Sequence, residues 1–91
     1  MRVAKVIVKL LSRFRDLVGK EAIVLDLTEG STVECLLEKM LDLYGEEFER
    51  SIWSEDKNLQ VILMLNGKIT KLDNKLKNGD IVTLLPPVAG G

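Results

Sequence analysis

Between Leu27 and Val33 the apolar residues of this 91-residue chain change period, and that change limits the folds open to it. Before it, Ile23, Leu25 and Leu27 alternate along residues 22 to 27, the two-residue period of a strand with one buried face. After it, Val33, Leu36, Leu37, Met40, Leu41 and Tyr44 recur at three- and four-residue spacing, opposite Glu34, Glu38, Lys39 and Asp42. That stripe predicts a helix over 33 to 44. Ser31 or Thr32 supplies an N-cap, Ser31 and Glu34 stand at capping-box spacing, and Gly45 is a plausible C-terminal stop.

Strand signals bracket the helix on both sides. In VAKVIVKL, residues 3 to 10, Ala4, Val6, Val8 and Leu10 share a face and Lys5 and Lys9 lie on the other. Residues 11 to 20 break that alternation and read as a loop with a helical turn, so the first two strands form a hairpin with a wide connection. Residues 59 to 65 are nearly continuously apolar, and Asn66-Gly67 follows them as a tight-turn signal, which predicts a central strand returning through a short one at 68 to 70. Turns at Asp73-Asn74 and Asn78-Gly79-Asp80 precede a last strand, Ile81 to Leu85. The segment 46 to 58, with Phe48, Ile52 and Trp53 among polar groups, reads as a short helix or packed loop. One helix laid across a small mixed sheet, an α+β architecture, accounts for this order. The expected core is Val6, Val8, Ile23, Leu25, Val33, Leu36, Leu37, Met40, Leu63, Leu65, Val82 and Leu84.

Composition removes most chemistries. The chain has no histidine and one cysteine, Cys35, so a histidine-based triad and an internal disulfide are both impossible. Thirteen basic residues stand against 14 acidic ones without clustering, which argues against a nucleic-acid partner. No apolar run reaches the ~20 residues of a membrane span, and the cysteine usage fits a reducing cytoplasm. The carboxylates of Glu46, Glu47, Glu49, Glu55 and Asp56 have no metal-loop spacing, so no metal site is expected, and they read as a solvated surface. Cys35 reads as a small structural or half-buried residue, although a position near a helix N-terminus could lower a thiol pKa. Phe14, Phe48 and Trp53 read as core fillers or loop anchors.

The last six residues, Pro86-Pro87-Val88-Ala89-Gly90-Gly91, are the most specific feature. Two prolines fix φ and favour extended backbone, and six residues in polyproline II reach roughly 19 Å. Gly90 and Gly91 lack Cβ and admit close approach by another protein. A stiff stem with a slim tip suits insertion into a narrow channel, delivering the α-carboxylate of Gly91. The expected division is therefore a domain over 1 to 85 and a projecting tail over 86 to 91.

FRDLVG at 14 to 19, EGSTVECLLEKM at 29 to 40, and LNGKITKLDNKLKNGDIVTLLPPVAGG at 65 to 91 resemble the MoaD family, the small subunit of molybdopterin synthase. The resemblance covers most of the chain outside residues 45 to 58. It implies a β-grasp, ubiquitin-like fold and a sulfur carrier for molybdopterin biosynthesis. The ThiS sulfur carriers of the thiamine pathway are similar but usually lack paired prolines. By the same resemblance, an adenylating enzyme akin to the ubiquitin-activating enzymes joins Gly91 to AMP, using ATP and magnesium. A persulfide donor then leaves a thiocarboxylate on Gly91, and the large subunit of molybdopterin synthase receives the tail through Pro86, Pro87, Val88, Ala89 and Gly90. The chain itself holds no cofactor and has no active site of its own in this reading. A ubiquitin-like modifier conjugated through Gly91, or an adaptor that only docks, would share the architecture.

A second site follows from strand alternation. If Val61, Leu63 and Leu65 face the helix, then Ile62 and Met64 point outward, joined by Ile7 and Leu85. Such an apolar face either docks a partner or is covered by residues 45 to 58.

Overall fold

A computed structural model describes residues 2–87. Strand β1 spans Val3–Leu10, a short helix α1 Arg13–Val18, β2 Ala22–Thr28, helix α2 Val33–Tyr44, helix α3 Glu46–Ile52, β3 Ile62–Leu65, β4 Lys68–Ile69 and β5 Ile81–Leu85. The five strands form one sheet in the order β2-β1-β5-β3-β4, with β1 and β5 parallel and all other pairs antiparallel. This is the mixed, helix-crossed sheet of the β-grasp fold.

The core lies between α2 and one face of the sheet. Val33, Leu36, Leu37 and Met40 come down from the helix onto Val6, Val8, Leu25, Leu63, Val82 and Leu84. All twelve expected core residues belong to this cluster, Ile23 and Leu65 as partly buried members. It is larger than the sequence indicates, because Leu10, Phe14, Leu27, Phe48, Ile52, Val61 and Leu76 complete it. Phe14 of α1 meets Phe48 of α3 edge to face, ring centroids 6.5 Å apart.

The apolar run 59 to 65 does not become the central strand. Only Ile62–Leu65 is strand, second from the edge, and the centre is β5, flanked by β1 and β3. The reason is Arg13, whose guanidinium donates to the carbonyls of Ser51 (3.3 Å) and Gln60 (2.8 Å), while Gln60 N–H donates to the carbonyl of Ile52 (2.7 Å). Residues 59 and 60 are thereby tied to α3 and its C-terminal turn instead of to a strand.

The start of α2 satisfies its orphan donors from three sources. Val33 N–H donates to the carbonyl of Asn74 and Glu34 N–H to that of Leu72, both at 3.0 Å. Cys35 N–H donates to Thr32 Oγ1 (3.3 Å), and Leu36 N–H to the Thr32 carbonyl (3.1 Å). Thr32, not Ser31, is thus the N-cap, and the residue three positions on is Cys35, so the Ser31 to Glu34 capping box does not form. Gly45 ends the helix with φ +79°, a conformation that a Cβ would strain, and its N–H donates to the Leu41 carbonyl (2.8 Å).

Candidate functional site

The two expected sites meet at the end of β5. Its parallel pairing with β1 sets Leu84 beside Leu10, and Leu11 N–H donates to the Leu84 carbonyl (3.1 Å), so the chain leaves the sheet beside the β1 to α1 connection. Leu85 is half-buried, Pro86 half-buried and Pro87 exposed. Val88, Ala89, Gly90 and Gly91 lie outside the described residues.

The strand register gathers the outward face expected for docking. Ile62 is opposite Leu85, Met64 opposite Thr83, and Ile7 opposite Ile81. All four named residues, Ile7, Ile62, Met64 and Leu85, are half-buried and point away from α2. Three further residues on this face were not singled out from the sequence. Ile69 of β4 stands opposite Met64 and is 79% exposed, Val24 of β2 stands opposite Ile7 and is 61% exposed, and Ile81 lies between Ile7 and the β3 end. Lys9 pairs with Thr83 across this face, and Lys5 makes an exposed ion pair with Asp26 at 3.1 Å. The face is therefore an apolar surface bordered on β1 by Lys9 and by the Lys5–Asp26 ion pair. Ile69 and Val24 belong to an edge hairpin and an edge strand, and the strand order and register bring them onto the face.

Residues 45 to 58 do not cover this surface. Phe48 and Ile52 are buried in the core cluster on the helix side of the sheet, with Trp53 packed against it, so α3 extends the α2 layer. Tyr44 and Phe48 meet at a tilt of 50°, ring centroids 5.9 Å apart, and close the α2 to α3 corner.

Cys35 departs from its sequence reading. It is exposed, on the outer side of the first turn of α2, and Thr32 Oγ1 lies 3.3 Å from its Sγ. It is distant in topology from the β5 end. Among the described residues no three His, Cys, Asp or Glu side chains converge to hold a metal ion, and no helix is long and apolar enough to cross a membrane. The arrangement sets Leu85 and Pro86, where the chain leaves β5, beside a half-buried apolar face that includes Ile62.

Comparison with known proteins agrees with this architecture. The model of the ThiS family matches residues 8–91. A putative molybdopterin converting factor subunit 1 from Pyrococcus furiosus is 36% identical, with a TM-score of 0.81 over 93% of this chain and 99% of that one. Small archaeal modifier protein 1 from Methanosarcina acetivorans is 26% identical, with a TM-score of 0.79 over the whole of both chains. A complex of subunits 1 and 2 of molybdopterin-converting factor from Helicobacter pylori shares the fold at 24% identity, with a TM-score of 0.58 over 96% of this chain and 99% of that one. No curated protein matches the chain at the sequence level.

Proposed function

The chain belongs to the ThiS family and has the fold of the ubiquitin-like sulfur carriers, and on that premise we propose that it is the sulfur-carrying small subunit of a molybdopterin synthase. The observation that carries this reading is the 36% identity, over nearly the full length of both chains, to a molybdopterin converting factor subunit 1. The Pro86-Pro87-Val88-Ala89-Gly90-Gly91 ending supports it, since an extended stem and two residues without Cβ suit a tail that enters a partner's channel.

In this mechanism a Gly91 carboxylate oxygen attacks the α-phosphorus of ATP on an adenylating enzyme, and magnesium pyrophosphate leaves. The terminal sulfur of a persulfide donor attacks the resulting acyl carbon and AMP departs. A thiol then cleaves the sulfur–sulfur bond, leaving the thiocarboxylate on Gly91 and a disulfide on the donor. Pro86 through Gly90 place this group in the large subunit of the synthase, and the face of Ile7, Ile62, Met64 and Leu85 docks there. Acid-base groups and metal belong to the partners in this scheme, which suits a chain without histidine. A second reading, a modifier joined through Gly91 to a lysine amine, is favoured by the full-length match to a small archaeal modifier protein.

Incubation with the adenylating enzyme, ATP and a persulfide donor tests the carrier chemistry. The C-terminal peptide should gain the mass of one oxygen-to-sulfur exchange, truncation of Gly91 should abolish the gain, and Cys35→Ser should retain it. Sulfur that tracks with Cys35 and survives loss of Gly91 would overturn the mechanism. Addition of the synthase large subunit and pterin precursor, against addition of lysine-bearing target proteins, separates carrier from modifier.

A further inference from the structure

The far edge of the sheet carries an incomplete hydrogen-bond ladder beside an apolar groove. Strand β2 is an edge strand of seven residues, whereas the opposite edge, β4, has only two. Leu10 N–H donates to the Glu21 carbonyl and Glu29 N–H to the Arg2 carbonyl, so the odd-numbered residues of β2 turn their backbone toward β1. The even-numbered ones turn outward. Of these, the Thr28 carbonyl accepts from Ser31 N–H (3.0 Å) and the Asp26 carbonyl from Lys39 Nζ (2.6 Å). Among the described residues nothing engages the outward N–H and C=O of Ala22 and Val24, or the N–H of Asp26. Long flat edges of this kind accept another strand unless they are blunted, and Lys39 blunts only one end.

Directly beside these groups, between β2 and the C-terminal half of α2, runs a groove of about 420 Å³. Ile23, Leu25, Leu43 and Tyr44 form its apolar wall, and Leu43 is 55% exposed although it lies on an otherwise amphipathic helix. Lys20 is the one charged side chain lining it, and Lys39 stands at the other end. Among the described residues the groove thus has one cation in its lining, a second at its end and no lining carboxylate. On the opposite side of the sheet, the residue between the free ladder groups is Val24, also apolar and exposed.

We propose that the β2 edge and the β2 to α2 groove bind an extended peptide of a partner protein, with a short run of β-branched apolar residues flanked by carboxylates. Main-chain pairing to Ala22, Val24 and Asp26 supplies the sixth strand. Alternate side chains fall into the groove against Ile23, Leu43 and Tyr44, and the others lie beside Val24, so both faces of the peptide are apolar. The flanking carboxylates meet Lys20 and Lys39. This site lies on the opposite edge of the sheet from β4 and needs no chemistry at Gly91, so it does not depend on the carrier reading, although Val24 also borders the outward face.

The full chain, labelled with nitrogen-15, would be titrated with a short acetylated peptide carrying Asp and Glu residues on each side of a Val-Ile-Val-Ile centre. The expected result is amide shifts at Ala22, Val24 and Asp26 with slowed hydrogen exchange at Val24. Val24→Pro should weaken binding about tenfold or more while the chain stays folded, because that N–H faces outward and proline is accepted on edge strands. Leu43→Asp, an exposed position on the groove wall, should weaken it comparably by an independent route. A peptide with lysine flanks should bind more weakly than the acidic one, and Lys20→Glu should narrow that difference. Undiminished binding to both folded variants, shifts confined to Ile62 and Met64, or no binding would overturn the proposal. So would a concentration-dependent dimer, abolished by Val24→Pro, that leaves no peptide binding, since the edge would then be taken by a second copy.

Discussion

Asn66 and Asp80 show how much a single pair can do beyond its local turn. Asn66 and Gly67 have φ of +51° and +87°, the left-handed pair that joins β3 to β4 in a two-residue hairpin, and Asn-Gly announces that turn in the sequence. What the sequence hides is the partner fourteen residues on. Asn66 Nδ2 donates to Asp80 Oδ1 (3.0 Å), and Asn66 Oδ1 accepts from Ile81 N–H (2.9 Å). Asp80 Oδ2 accepts from Lys77 N–H (2.7 Å), and the Asp80 carbonyl accepts from Ile7 N–H (2.9 Å). Asp80, 7% exposed, is buried because it pins three strands at the beginning of β5. Read alone it is one more turn aspartate, since turn chemistry is local and this contact is not. Asn66→Ala removes both side-chain bonds and puts an alanine in left-handed backbone, so a loss of about 2 kcal/mol is expected in denaturant unfolding. Asn66→Gly relieves the backbone and should lose less, and equal losses for the two would mean that conformation contributes nothing here.

At the scale of elements, legibility follows how much pattern each one carries. Helix α2 presents six apolar residues over twelve at helical spacing, and its bounds, Val33–Tyr44, agree with the periodicity. Helix α3 buries only Phe48 and Ile52 in seven residues, one contact per turn, which a packed loop could match. Its helicity is secured by tertiary packing and by Arg13 at the Ser51 carbonyl near its C-terminus, neither visible in a local window. The 72 to 76 segment is obscure for the same reason. Leu76 is buried and Leu72 partly so because their loop docks on the α2 start, while the sequence there reads as lysines and turn residues. Leu37→Ala, at 1% exposure beneath α2, should cost about 2 to 5 kcal/mol. Phe48→Ala should cost about 3 to 5 kcal/mol, and a loss within roughly 0.5 kcal/mol would show that α3 adds no stability to the core.

Across the whole molecule, the strand order decides what the carrier reading requires. Placing β5 at the centre makes the chain leave the sheet at the end of its middle strand, where Leu85 pairs with Ile62, so under the carrier reading a partner that grips the tail is expected to meet Ile62 and Met64 as well. The alternation of β3 made those two residues legible as outward, but Ile69, Val24 and Ile81 joined them only through pairing between strands distant in sequence. Met64→Asp places a charge in the middle of that surface, between Thr83 and Ile69, where docking would strip its hydration without supplying a cation. The isolated domain should stay folded, because Met64 faces away from the core and already touches water. Affinity for the synthase large subunit should fall about tenfold or more in calorimetric titration. Removing Gly91 should act differently, ending sulfur transfer while leaving much of the docking on the sheet face, so the two variants separate cargo from contact. Normal binding by folded Met64→Asp would exclude the outward face as the docking surface, and unfolding would mean that β3 presents its other side to the core.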